Sequence, residues 1–355
     1  MAFQQYGLTP FRIGKFAAEI LKLASTREVL CKQGRQVEFP QNRSDTYIAR
    51  RWIPYGASAS NPNVFFPATT AIDRNAAVVN AHLTTEGVTG QPDSLVPQDI
   101  SVIMTQYTCL YGMTDKMRRL SEDDIPAAMA KQIAQRVSLV NESYVFGVLK
   151  ACTNVFFGGA GTTRATTNGP LTLPLVRRIT RNLANNSAEM VTEVLKGGKD
   201  YGSSPVEGGY FVYGHTDLAP DVRDMPGFTK AVEYATGSPM PNELGAVENF
   251  RFILSPILVP ILDGGASVAS TPGYETNSGV NNDVYQFIVV AADAWSQISV
   301  RGNSSIKPTY IDPGEMTKSD PHGQRGYAGA MWWKAALIEN SGWMATGNVL
   351  CRKLL

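Results

Sequence analysis

SEDDIPAAMAKQIAQRVSLVNESYVFGVLKAC, residues 121–152, is the stretch that decides the fold. Ile125, Met129, Ile133, Val137, Val140, Tyr144 and Val148 follow one another at steps of three or four, the period of one helical face. Glu122, Asp123 and Asp124 crowd the start, where a helix dipole favours negative charge. Asp123 or Asp124 can accept from the free amides there, and Pro126 falls in the first turn, where its missing N–H costs nothing. Gly158-Gly159-Ala160-Gly161 follows and cannot extend a helix cheaply. A helix over Ile125–Cys152 is about 42 Å long at about 1.5 Å per residue, more a strut than an ordinary core helix. The same pattern also suits a long helix of any large globular protein.

Upstream, Pro10–Leu30 can hold an amphipathic helix through Phe11, Phe16, Ile20 and Leu23, within an arm over 1–34. RQVEF and TYIARRWIP read as strands separated by the turn-rich PQNRSD. Residues 54–98 are rich in Ala, Thr, Asn, Gly and Pro and show little periodicity, and so long a loop is unusual inside a compact domain. Residues 99–113 return as a strand, alternating through Ile100, Val102 and Met104. The economical reading is one two-stranded excursion that leaves near residue 46 and returns just before the long helix.

Downstream, Leu171–Leu195 reads as a second helix, carrying Arg177, Arg178 and Arg181. A short strand over 208–214, a short capped helix over Thr216–Met225, and apolar strands over Glu248–Ser255 and Val284–Ala292 follow. Residues 163–325 thus read as a mixed α/β block, and the last strands, Tyr327–Glu339 and Met344–Cys351, are expected to pair elsewhere.

The chain has 355 residues, 43% hydrophobic and 18% charged, which fits about two folded domains and excludes global disorder. A net charge of +1 gives no overall nucleic-acid signal, but the charge is uneven. Residues 1–53 hold nine Lys/Arg against four acids, a balance of +5, and residues 200–290 hold three against eleven, a balance of −8. Segments of opposite sign suit head-to-tail association of copies, or two environments. Cys31, Cys109, Cys152 and Cys351 form no CxxC pair, so free thiols in a reducing compartment are expected. There is no basic-then-apolar leader and no apolar run of about 18 residues, so no membrane partner is expected.

No GxxxxGK[ST], GxGxxG, HExxH, GxSxG or paired-cysteine zinc pattern occurs. His82, His215 and His322 are scattered and read as surface or turn residues. Asp217, Asp221 and Asp224, at i, i+4 and i+7, are the best metal candidate and would serve a metal-dependent hydrolase, although a solvated acidic helix face uses the same spacing. The three arginines could touch phosphate, or form a solvated or subunit-facing helix side. Trp332-Trp333 beside Lys334 could stack bases, but a strand sends the two indoles to opposite faces, which favours packing. Nucleophile, base and oxyanion donors assemble nowhere, so no catalytic, cofactor or metal site and no enzyme activity is expected.

Three stretches carry a family resemblance. They are Thr85-Glu86-Gly87-Val88-Thr89 with Ile100–Asp115, then Tyr210–Asp224 followed by Phe228 and Gly245–Pro256, and then Ser319-Asp320-Pro321-His322-Gly323-Gln324-Arg325-Gly326 running into Trp333-Lys334. In this order they resemble the tailed-bacteriophage major capsid proteins typified by coliphage N-four, over roughly residues 36–350. The resemblance implies an α+β chain with the Hong Kong 97 capsid fold. Its parts would be an N-terminal arm (1–40), an extended β-hairpin loop with the first peripheral strands (41–115), a spine helix (116–162), a mixed α/β axial domain (163–325) and returning C-terminal strands (326–355). It implies a structural subunit of an icosahedral shell, self-assembling into pentamers and hexamers around double-stranded DNA held non-specifically. The shell would be assembled in the host bacterial cytoplasm, with a portal and a decoration or cement protein as further partners and with scaffolding either a separate protein or dispensable. An encapsulin-like compartment shell would share the fold. Residues 54–98 lack lysine, which removes a lysine–asparagine chainmail from the loop tip, and no long charged helix precedes the arm as a fused scaffold would.

Overall fold

A computed structural model describes residues 28–32, 34–40, 44–53, 63, 79, 80, 82–84, 86–90, 94–121, 124–195, 203–234, 240, 242–300, 306–314, 316 and 319–354. The helix expected from residue 10 onward and most of the long loop lie outside them. In chain order the described elements begin with β1 (Arg35–Phe39), β2 (Thr46–Trp52), β3 (Pro97–Ile103), β4 (Thr105–Thr114), α1 (Asp115–Leu120), α2 (Ile125–Leu149) and β5 (Val155–Phe157). Next come α3 (Leu173–Asn185), β6 (Val191–Leu195), β7 (Ser203–Gly214), α4 (Ala219–Arg223), β8 (Phe228–Lys230), β9 (Glu243–Val247) and β10 (Phe250–Leu254). The last are β11 (Val284–Val290), β12 (Trp295–Val300), β13 (Lys307–Ile311), β14 (Arg325–Ile338) and β15 (Met344–Leu350).

Helix α2 forms where its pattern places it. Asp124 caps it, accepting from the Ala127 N–H, and Pro126 sits in the first turn. Its 25 residues span about 37 Å. The buried line differs from the expected stripe. Met129, Ile133 and Val137 are buried, but the line continues through Asn141, Val145 and Leu149, while Val140, Tyr144 and Val148 are half-buried. Each step of four overshoots a turn by about 40°, so the buried face winds around the helix. It does so because α2 serves two cores. Its first half packs Met129, Ala130, Ile133, Ala134 and Val137 against Cys109 and Met113 of β4 and Ala328, Ala330 and Trp332 of β14. Its second half packs Val145, Phe146 and Leu149 against Phe211, Tyr213, Ile253, Ile288 and Val290.

Those two partners are the two large sheets. The five-stranded sheet runs β1-β12-β14-β13, with β4 paired along the other edge of β14. The eight-stranded mixed sheet runs β5-β15-β11-β7-β10-β9-β8, with β6 on β7. Alternation along β7 sends Tyr210 and Val212 toward α3 and α4, and Phe211 and Tyr213 toward α2, so helices cover both faces.

Several expectations are corrected. The second helix ends at Asn185, not Leu195: the Asn186 N–H closes it on Asn182 and Leu183 carbonyls, Ser187 turns to φ 55°, and the β-branched run beyond is strand β6. The strand over 99–113 is two strands, because the Met104 N–H turns aside to Asp45 O at 2.8 Å as the chain leaves β2 for β14. The short strand over 208–214 is the end of the twelve-residue β7. The last strands do not both leave the α/β block. β15 fills the eight-stranded sheet between β5 and β11, whereas β12 and β13, inside 163–325, belong to the other sheet. Every residue of β15 is buried, and Gly347 leaves room for the Phe287 ring that a Cβ would overlap.

Candidate functional site

The two-stranded excursion is a distinct projection. β2 and β3 pair antiparallel from Thr46↔Ile103 to Trp52↔Pro97. Its inner face, with Tyr47, Ala49, Ile100 and Val102, packs on Phe39, Ile298, Ala335 and Leu337. The outer face leaves Ile48, Trp52 and Ile103 exposed at 58%, 57% and 62%, and Leu95 beyond β3 at 78%. Between them Arg50 grips Asp99 with two hydrogen bonds of 2.7 and 2.8 Å. That bond raises the arginine pKa and lowers the aspartate's. Under the hairpin opens a groove of about 340 Å³ lined by Arg35, Tyr47, Arg51, Asp293, Glu339 and Trp343. Exposed apolar side chains around a fixed ion pair suit a surface that another protein covers.

A second constellation is buried, and sequence reasoning missed it. Glu142, fully buried on α2, accepts the backbone N–H groups of Val29, Leu30 and Cys31 at 2.6, 3.1 and 3.1 Å. Asn141 accepts from Trp332 Nε1 at 2.9 Å and donates to Glu28 at 2.9 Å. Residues 28–32 are thus a strap held on α2, closing in the 3₁₀ turn Leu30–Lys32. Burial pushes the Glu142 carboxyl pKa up and outweighs the three amides that pull it down. The available signal was Ser138, Asn141 and Glu142, three polar residues crowding the otherwise apolar buried line of the helix.

The residues singled out in the sequence fall elsewhere. Asp217, Asp221 and Asp224 do not share one helical face, because the chain there is a 3₁₀ turn, Thr216–Leu218, followed by α4. Asp217 accepts from the Tyr285 hydroxyl at 2.9 Å, while Asp221 and Asp224 each lie 3.4 Å from the Arg352 guanidinium. The cation they hold is that arginine, and no group of three His, Cys, Asp or Glu suited to a metal occurs among the described residues. This geometry does not favour the hydrolase alternative. Burial beside these carboxylates pushes the Cys351 thiol pKa up to about 12.

His215 caps the 3₁₀ turn through Nδ1, and His82 and His322 are exposed on other segments. Arg177 pairs with Glu248 at 2.6 Å, Arg178 lies over the Phe156 ring at 5.2 Å, and Arg181 is exposed. Two of the three arginines are therefore engaged within the chain. Trp332 is core, stacked on Tyr107 at 5.9 Å, and Trp333 lies half-buried on the opposite face of β14. No described helix is long and apolar enough to cross a membrane.

No protein-family model matches the chain. The capsid of Ralstonia phage GP4 superposes with a TM-score of 0.61 over 93% of both chains at 9% identity. The Cyanophage Pam1 capsid gives 0.53 over 91% of both at 11% identity. The head structure of Helicobacter pylori bacteriophage KHP40 gives 0.51 over 93% of this chain and 90% of that one at 10% identity. The fold is that of phage capsid subunits. In sequence, the major capsid protein of Pseudomonas phage KPP21 is 24% identical over 195 residues, 51% of this chain and 49% of that protein. The chain thus spans about half the length of the curated relative it matches.

Proposed function

We propose that this chain is a non-enzymatic structural subunit of an icosahedral bacteriophage capsid, self-assembling into pentamers and hexamers that enclose double-stranded DNA. The observation that carries the reading is the capsid fold shared along 93% of the chain, to which the curated relative adds a sequence match. The outward hairpin supports it. Its apolar outer face is costly in water and is stabilised once a lattice neighbour covers it. In this reading β2 and β3 begin the extended loop, α2 is the spine, and the eight-stranded sheet with α3 and α4 forms the axial part. The five-stranded sheet is the peripheral part, and β15 passes back into the axial sheet. Many modest interfaces summed over the lattice give the shell its stability. Membership in the N-four-type family, assembly in the host cytoplasm, and scaffolding, portal and decoration partners belong to this proposal. The basic arm would contact DNA or a neighbour's acidic segment, so neutralising Arg12, Lys15 and Lys22 is expected to impair assembly or DNA retention. Negative-stain microscopy and light scattering of the purified protein test the whole reading. Closed shells are expected, and a monomer that persists at every concentration, alone and co-expressed with the remaining head proteins, would overturn it.

A further inference from the structure

Cys31 and Lys334 meet where three elements converge. The backbone of Cys31 is held from both sides: its N–H donates to Glu142 of α2 at 3.1 Å, and its carbonyl accepts from Gln297 Nε2 of β12 at 2.8 Å. Lys334 arrives from β14 and its Nζ donates to Cys31 Sγ at 2.8 Å. Sulfur and nitrogen are too far apart for a direct bond, yet a single bridging atom fits between them with little movement. Cys31 is half-buried, packed against the edge of the core.

We propose that Cys31 and Lys334 are an oxidative modification site, joined by a covalent S–O–N bridge that fastens the strap 28–32 to β14. Dioxygen is the oxidant. The lysine ammonium first releases one proton to solvent. The thiol and the neutral amine then give up one hydrogen each as the S–O and O–N bonds form and the O–O bond breaks. Dioxygen takes four electrons, one of its atoms stays in the bridge, and the other leaves as water with the two hydrogens. Oxidised cysteine sulfur is open to capture by a nitrogen held against it.

Electrostatics fit a resting pair that waits for oxidant. Burial pushes the Cys31 thiol well up, so it stays neutral in a reducing environment. Burial pulls the Lys334 ammonium down, but Cys31, Glu28 and Glu142 together hold it above its ordinary value. Before oxidation the strap is held by hydrogen bonds; afterwards it is held covalently until a reductant breaks the bridge. The crosslink itself does not depend on the capsid reading. On that reading it would form when a finished shell leaves a reducing cytoplasm for aerated medium.

The test is peptide mass spectrometry of the full-length protein, purified under reductant and then held in air-saturated buffer. After alkylation and trypsin, Glu28–Lys32 is expected joined to Gly326–Arg352, with no cleavage after Lys334. The joined mass should exceed the summed peptides by about 14 Da, one oxygen gained and two hydrogens lost, and reductant should separate them. Cys31→Ser and Lys334→Arg should abolish the joined peptide. Should either variant fail to fold, the wild-type mass decides alone. Separate peptides after prolonged aeration, Cys31 carrying oxygens without Lys334, or a joined mass about 2 Da below the sum would each overturn the proposal.

Discussion

Replacing Glu142 with alanine probes the strap directly. The carboxylate accepts three backbone N–H groups, two of them on Val29 and Leu30, which are 3% and 0% exposed. Left docked without an acceptor, each buried donor costs about 1–3 kcal/mol. The strap can escape that cost by leaving α2, and it then loses the burial of Val29 and Leu30, about 1.5–3 kcal/mol each. The cheaper route sets the effect. Docking should weaken by about 3 kcal/mol or more, a factor of at least ~100 in the opening equilibrium. Hydrogen exchange followed by mass spectrometry reads it, comparing the strap peptide with peptides from α2 and β11. The strap should exchange at least about a hundredfold faster while the sheet keeps its protection. Unchanged strap exchange would refute the reasoning, and so would simultaneous loss of protection everywhere.

Glu142 also gives the strap an unusual pH dependence. Its folded pKa is raised, first by burial and further by Glu28, against the pull of three amides. An acid whose folded pKa lies above its unfolded value contributes stability that is fully present below the unfolded pKa. That contribution is lost as pH rises through the folded pKa. Glu28, Cys31, Tyr213 and Lys334 are the charged or titratable groups that face it electrostatically. Tyr213 and Cys31 are pushed well up and Lys334 is raised, so none of these three changes charge in the acid range. Strap protection in the wild type, measured relative to Glu142→Gln, should therefore grow as pH falls from neutral toward the ordinary carboxylate range. A relative protection that shrinks on acidification would show that the amides, not burial, dominate.

The remaining predictions concern the core and the hairpin. Glu243 and Arg251, 0% and 5% exposed at their side chains, pair through bonds of 2.7 and 2.8 Å, so Glu243→Ala strands a buried guanidinium and should cost about 3–5 kcal/mol in urea unfolding. A double replacement of this pair by methionine should recover most of that loss. Ile133→Asp places a carboxylate in a fully buried site of α2, and circular dichroism should find no folded subunit. Lysine at Ile48 and Trp52, both on the outer hairpin face, should leave the melting temperature nearly unchanged yet stop particles appearing by light scattering.

What the sequence made legible was set by period. α2 and β2 carry repeats of 3.6 and 2 and formed within a few residues of expectation, whereas the return strand broke in two at Met104 and the buried line of α2 left the expected stripe in its second half. Sheet membership carried no such mark: MATGNVL reads as a strand wherever it pairs, and only the space around Phe287 and Gly347 assigns β15 to the larger sheet. Exposed carboxylates at i, i+4 and i+7 invited a metal reading that the short 3₁₀ turn and Arg352 undo. Glu142 was missed because a charged residue beside an apolar stripe resembles a solvated one. The stripe breaks there for a physical reason. A straight helix that packs first on β4 and β14 and then on β7, β10 and β11 must turn its buried face between them. At the turning point, Ser138, Asn141 and Glu142 are buried between the two clusters. Asn141 and Glu142 are satisfied there by Trp332 and by the amides of the strap. The polar break in the helix and the docking of the chain's N-terminal segment are thus one feature. Removing the polar residues for a smoother apolar face would leave the strap without an acceptor.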